Sequence, residues 1–320
     1  MPALSPRIAV AIPATSANLG PGFDCMGLTL GLYNTIVVEP ADRLEMTIEG
    51  EGKETLRPGR GNLLYDTFTS VFTRLERPVP SVRLACANRI PLGRGLGSSA
   101  AAVVGGLVAA NAVAGRPLTD SDLLRMAAAV EGHADNVAPA LFGGCRIVVR
   151  DGDEYVVAAV PMRGGLKAVL FIPDFQMSTR RARAILPQQV SRADAVFNIG
   201  RAALLTTALA TGEWSHLRVA TQDRIHQPAR QALFPAMPRL FAAALDAEAL
   251  GAFLSGGGST ILAFAHGREE TIAAALAQEA QRAGVSGRTQ IADLTLDGVR
   301  VRGLRQRRRS AARQPILSAL

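Results

Sequence analysis

The chain has 320 residues, 48% hydrophobic and 19% charged, a balance that supports a buried core and excludes a disordered polymer. Its formal charge of +8 is unevenly spread. Residues 301–320 hold six arginines (Arg302, Arg305, Arg307, Arg308, Arg309, Arg313) and no acid, so the first 300 residues carry a net charge of only +2. No basic stripe interleaved with aromatics crosses the body, which argues against a nucleic-acid partner there, and the tail reads as a solvated, disordered terminus.

No uninterrupted apolar run reaches the roughly 18 residues of a membrane span, and residues 1–7 lack the apolar core of a secretory signal. Cytoplasmic placement is the expectation. Cys25, Cys86 and Cys145 are widely spaced without a CxxC pair, and the four histidines form no HExxH pattern, so neither a disulfide framework nor a zinc site is expected. Lys53 and Lys167 are the only lysines, and neither stands in GxxxxGK[ST]. Any phosphate site must therefore work without a Walker lysine.

In chain order, residues 7–12 and 33–40 read as strands, and 44–50 alternates as a half-buried strand does. Residues 62–75 place Leu63, Leu64, Phe68, Val71 and Phe72 at helical spacing. Residues 81–90 form a strand that runs into a glycine-rich loop, and a small-residue helix starts at Ser98. Thr119 opens the next helix, Gly143 and Gly144 break the chain, and 146–150 is a strand. After about residue 165 come a strand at 167–172, helical segments to 247, strands at 251–254 and 260–265 around a glycine cluster, and a helix at 269–283. Strands and helices alternate with several short links, which indicates an α+β layered fold.

The strongest chemical signal is PLGRGLGSSAA at 91–101. Three alternate glycines let the backbone approach a ligand and take positive φ. Two serines then open a helix whose unpaired N–H groups and positive dipole end favour an anion, phosphate above all. EGHADNVAPA at 131–140 holds four polar side chains together between apolar stretches, where burial without partners is costly. In PATSANLGPGFD at 13–24, Asn18 and Asp24 flank a rigid turn. They either close that turn or face one pocket.

The 91–101 segment resembles the PxxxGLGSSAA phosphate loop of the GHMP kinases. Residues 13–24 resemble the family's N-terminal motif in its homoserine-kinase form, and EGHADNVAPA is similar to the EGHxDNVAPA of that branch. LSGGGST at 254–260 resembles the C-terminal glycine motif, with Ser259 in place of the usual proline. STRRAR at 178–183 and DRIHQPAR at 223–230 resemble the TxxAR and DxxxxPxR segments. The resemblance spans residues 7–300.

It implies a two-domain GHMP kinase fold: a ribosomal-protein-S5-like ATP-binding domain (1–165), a ferredoxin-like domain (166–300) and the basic tail (301–320). The implied reaction is phosphorylation of the L-homoserine hydroxyl by ATP with Mg²⁺, in threonine biosynthesis, with a homodimer as the candidate assembly. Pro91, Leu92, Gly93, Arg94, Gly95, Leu96, Gly97, Ser98, Ser99, Ala100 and Ala101 would cradle the triphosphate, with Asn62 near the adenine. Arg183 and Arg230 would grip the substrate carboxylate bidentately. Asp24 or Asp135 would take its ammonium with Asn18 nearby, and His133 and Gly256 complete the substrate set. Asn136 would orient the hydroxyl, Thr179 would lie by the transferring phosphoryl group, and Asp135 is the alternative base. The branch commonly places a metal-binding glutamate earlier on the helix that precedes EGHxDN. Residues 126–130 carry no acid, which leaves Glu131 with Ser99 for the metal. Competing implications are a mevalonate-type kinase, which would lack the two arginines, a non-catalytic ligand sensor on the same fold, and a nucleic-acid role for the tail.

Overall fold

Long apolar strands open the chain. The computed structural model describes residues 7–304. β1 (Ile8–Asn18) and β2 (Gly22–Pro40) form an antiparallel hairpin registered from Ile8↔Val38 to Asn18↔Gly22, with register shifts at Pro13/Ala14 and Ala17/Asn18. Most of the 13–24 motif is therefore strand, and only residues 19–21 turn. β3 (Glu45–Gly50), α1 (Leu63–Arg74) and β4 (Val82–Asn88) make a parallel crossover, since β3 and β4 pair in parallel and β4 also joins β2. A helix is the usual link for such a pair.

α2 (Ser98–Val113) is buried along most of its length and packs on α1. That suits a helix made almost wholly of Ala, Val, Gly and Leu. α3 (Asp120–Glu131) starts from a reciprocal Thr119–Asp122 capping box and stops at Gly132 in the left-handed conformation, both standard end signals. α4 (Val137–Phe142) leads into β5 (Cys145–Asp151), which pairs with β2 and with β6 (Glu154–Val160).

The second half runs β7 (Lys167–Pro173), α5 (Thr179–Ala184), α6 (Arg192–Thr211), α7 (Leu217–Ala220), α8 (Gln227–Arg230), α9 (Met237–Asp246), β8 (Gly251–Leu254), β9 (Ile261–Ala265), α10 (Glu269–Arg282) and β10 (Gly287–Thr295). Its strands pair antiparallel in the order β10-β7-β9-β8, which is the βαββαβ ferredoxin-like arrangement. β10 also pairs with β2 through Leu294↔Leu30 and Thr295↔Thr29, so one strand joins the two halves. Phe68, Leu84, Leu107, Leu170 and Phe264, each at most 1% exposed, belong to the core that crosses this join. Burying a side chain of this size contributes about 1.5–3 kcal/mol.

β11 (Arg300–Gly303) pairs with β1 from Ile8↔Gly303 to Ala11↔Arg300. The expected start of the basic tail at residue 301 thus falls inside a strand. Val299 and Val301 pack against the core and anchor it, and the Leu304 N–H donates to the Arg7 carbonyl at 2.7 Å. The remainder of the tail lies outside the described residues. Among those described, no helix is long and apolar enough to cross a membrane.

Candidate active site

The loop after β4 is shaped by its glycines. Gly93, Gly95 and Gly97 have φ of 65°, 73° and 69°, which side-chain-bearing residues rarely adopt. A Cβ on Gly95 would overlap the Ser255 carbonyl, and one on Gly97 would overlap Thr15 Oγ1. Gly97 is the N-cap of α2 and supplies no side-chain cap. The first N–H groups of a long helix therefore stay free for an anion. Gly93, Arg94, Gly95, Gly97, Ser98, Ser99 and Ala100 line one wall of a cavity.

Other residues of the loop brace it from behind. The Arg94 guanidinium donates to the carbonyls of Pro173 (2.7 Å), Leu92 (2.8 Å) and Asp174 (2.6 Å), so its donors hold the loop to the end of β7. Leu96 and Ala101 are buried in the core, and neither they nor Pro91 and Leu92 line the cavity. Asn62 is also absent from the cavity wall. It caps α1, accepting from the Leu64 N–H at 3.1 Å and donating to the Arg57 carbonyl at 2.8 Å.

Asn18, Thr179, Arg183, Arg230 and Gly256 line the same cavity, and Asp24 does not. Arg183 grips Asp24 through both carboxylate oxygens, at 2.6 and 2.9 Å. Two groups expected to meet opposite ends of a substrate are thus paired with each other. This hydrogen bond raises the Arg183 pKa further, against the opposing effect of burial. Arg230 is 2% exposed and donates to the carbonyls of Ala182 and Gly256 and to Nδ1 of His226. Burial, with Arg183 nearby, pulls its pKa down to about 10, so it stays cationic at neutral pH. Asn18 has φ 68°. Its side chain accepts from the Asp24 N–H at 3.0 Å and donates to the Gly256 carbonyl at 2.9 Å. It closes the turn and also lines the cavity, so both readings of this residue meet in one place.

Glu131, His133, Asp135 and Asn136 also line the cavity. Nδ1 of His133 lies 2.6 Å from Asp135 Oδ1, which also accepts the Asn136 backbone N–H at 2.9 Å. Burial works against protonated His133, but the hydrogen bond and charge of Asp135 outweigh it and raise its pKa. The Asn136 side-chain Oδ1 accepts from Thr15 Oγ1 at 2.8 Å. Ser99 Oγ donates to Glu131 Oε1 at 2.5 Å. A hydroxyl and a carboxylate oxygen at the start of α2 are hard donors of the kind Mg²⁺ takes alongside phosphate oxygens, so the residues present fit that ion.

Three contributors carried no role in the sequence reading. Thr15 lies inside the quoted N-terminal motif and His226 inside the DxxxxPxR segment, but a threonine or lone histidine gives no chemical signal of its own. Phe23 stacks on His226 at 5.3 Å and lies under Arg183 and Arg230 at 5.7 and 5.6 Å. Fully buried His226 is pushed down to about pKa 4 by its burial. As a neutral ring it donates from Nε2 to the Gly20 carbonyl at 2.8 Å and accepts from Arg230 at Nδ1.

Comparison with known proteins decides the family. Residues 62–144 match the GHMP kinases N terminal domain and residues 206–283 the GHMP kinases C terminal. The chain is 44% identical over 299 residues to a homoserine kinase from a Synechococcus strain, covering 92% of this chain and 98% of that protein. It is also 44% identical over 276 residues to one from Moorella thermoacetica, covering 86% and 93%. The chain belongs to the homoserine kinase family of GHMP kinases.

The crystal structure of homoserine kinase from Cytophaga hutchinsonii superposes with a TM-score of 0.83 at 30% identity, covering 94% of this chain and 99% of that one. The L. major mevalonate kinase shares the fold at 15% identity and a TM-score of 0.66, covering 89% and 95%. The expected two-part α+β GHMP fold is what this structure has, and membership in a kinase family carries ATP use with it.

Proposed function

We propose that the chain transfers the γ-phosphoryl group of ATP to the side-chain hydroxyl of L-homoserine, giving O-phospho-L-homoserine on the route to threonine. One observation carries the reading: the uncapped start of α2 and the arginines Arg183 and Arg230 line a single cavity, with Arg183 also holding the Asp24 carboxylate. The helix start suits a triphosphate, and the charged side chains suit the carboxylate and ammonium of an amino acid.

In this reading the Gly93–Gly97 backbone and Ser98 hold the phosphates. Arg183 and Arg230 take the α-carboxylate, while Asp24 and Asp135 face the ammonium. His133, Asn18 and the Gly256 carbonyl complete the pocket, and Thr179 stands by the transferring group. Ser99 and Glu131 would hold Mg²⁺, which when bound supplies neutralisation of phosphate charge. Asn136 orients the attacking hydroxyl. Phosphoryl transfer has a loose transition state, so placement and charge neutralisation supply most of the rate, and a strong base is not required. Asp135 Oδ1 is already occupied by His133 and the Asn136 N–H, which favours a positioning role for it over proton abstraction. The same reading puts the protein in the cytoplasm with its ATP pool, with a homodimer as the candidate assembly and no nucleic-acid or membrane partner for the folded body.

The test is ³¹P NMR of the protein with ATP, Mg²⁺ and L-homoserine. A phosphomonoester signal that coincides with that of added O-phospho-L-homoserine is expected. ATP left intact, or hydrolysed to free phosphate alone, would refute the proposal.

A further inference from the structure

Asn136 can offer the acceptor either its carbonyl oxygen or its NH₂ group, and its neighbours decide which. Asp135 Oδ1 lies 2.9 Å from the Asn136 backbone nitrogen and 3.4 Å from Nδ2. An ionised carboxylate only accepts, so the NH₂ end belongs on that side. The carbonyl end then turns to Thr15, whose hydroxyl donates at 2.8 Å. Thr15 is 0% exposed. Its backbone N–H donates to the Leu96 carbonyl at 3.1 Å, and its Oγ1 fills the space a Cβ on Gly97 would need. One side chain therefore touches the phosphate loop and fixes the amide of the hydroxyl-orienting residue.

We propose that Thr15 is a positioning residue for phosphoryl transfer: its hydroxyl locks the Asn136 amide so that an N–H, not a carbonyl, is presented to the acceptor oxygen, and it ties that amide to the phosphate loop. The inference rests on the reading of Asn136 given above. A donated N–H engages a lone pair of the acceptor oxygen and holds it in line, whereas a reversed amide would draw on the hydroxyl proton and turn the oxygen away. With the Thr15 donor gone, only the long 3.4 Å contact from Nδ2 to Asp135 Oδ1 opposes reversal.

The test uses the full chain with Thr15→Val, Thr15→Ala and Thr15→Ser. Loss of the hydroxyl in the Val and Ala variants should lower kcat about ten- to a hundredfold and leave both KM values within about threefold. Serine should restore most of the turnover. In substrate-free protein, the Asn136 side-chain amide signals in ¹H–¹⁵N spectra should move in the Val and Ala variants and keep their wild-type positions in the Ser variant. Wild-type turnover in the Val and Ala variants, a Ser variant as slow as they are, or unmoved amide signals would overturn the proposal. The alanine variant guards against crowding of Gly97 by the extra valine methyl. If the wild type failed to phosphorylate homoserine, the substrate reading would fall, while the amide signals would still judge Thr15.

Discussion

Arg183 and Asp24, 159 residues apart in sequence, meet through two parallel hydrogen bonds, Nη2 to Oδ1 at 2.6 Å and Nη1 to Oδ2 at 2.9 Å. The pair spans the join between the first hairpin and α5, and it leaves further guanidinium N–H groups and carboxylate lone pairs for a zwitterion. About a third of each side chain is exposed, so screening makes the pair worth little for stability. Its value lies in orientation.

Because each partner holds the other, Arg183→Ala and Asp24→Asn should each raise the homoserine KM about tenfold or more with a smaller effect on the KM for ATP. The double variant should be little worse than the weaker single. Initial-rate kinetics on the three proteins check this, and additive penalties would mean that the two residues bind independently.

Arg230 differs because it is buried. Arg230→Ala removes the donor for the Gly256 and Ala182 carbonyls and for His226 Nδ1. The Gly256 carbonyl keeps its Asn18 donor, and the two groups left unpaired cost about 1–3 kcal/mol each. Urea unfolding should therefore show a loss of at least about 2 kcal/mol together with the rise in homoserine KM, whereas Arg183→Ala should leave the unfolding midpoint nearly unchanged.

His226 gives a pH signature. Its folded pKa, about 4, lies below the ordinary histidine value of 6.5, so over that interval the unfolded chain binds a proton that the folded chain refuses. Stability is complete above the unfolded value and falls as the pH drops from about 6.5 toward 4. The urea midpoint should decline over this window in the wild type and decline less in His226→Gln.

His133 works in the opposite sense. Its folded pKa is raised, so the stabilisation from its protonated form is full below the ordinary value and disappears as the pH climbs through the raised one. A ¹H NMR titration should place the wild-type imidazole above the usual value. In Asp135→Asn it should titrate lower, since the two larger favourable contributions come from that carboxylate and only a smaller one from Glu131.

Much of the fold was legible in the sequence because local signals coincide with the elements. Asn62 caps α1, the Thr119–Asp122 box opens α3, and Gly251–Leu254 is β8 at the expected residues. The join was not legible. β10 and β11 are short on alternating pattern and rich in charged and polar residues, and they are strands because β7, β2 and β1 offer them edges. Tertiary pairing overrides weak propensity in such segments. A truncation meant to remove the basic tail must therefore cut after Leu304. Cutting at Arg302 would remove the β11 residues that pair with Ile8 and Ala9 of β1.

The candidate site was legible where a family motif names a side chain, and blind where a residue acts through another. Arg183, Arg230, Ser99 and Glu131 line one cavity. That Arg183 binds Asp24, that Arg94 braces the Pro173 carbonyl, that Thr15 fixes Asn136 and that the Gly20 carbonyl holds His226 depends on contacts across more than 70 residues. No spacing rule reports such contacts.

The account turns on an amino-acid pocket facing the phosphate loop, and acceptor preference measures that most directly. In a coupled ADP-release assay with Mg²⁺ and ATP, L-homoserine should exceed L-serine, L-threonine and mevalonate in kcat/KM by orders of magnitude. Mevalonate as the preferred acceptor, or no acceptor-dependent ADP release with homoserine, would contradict it.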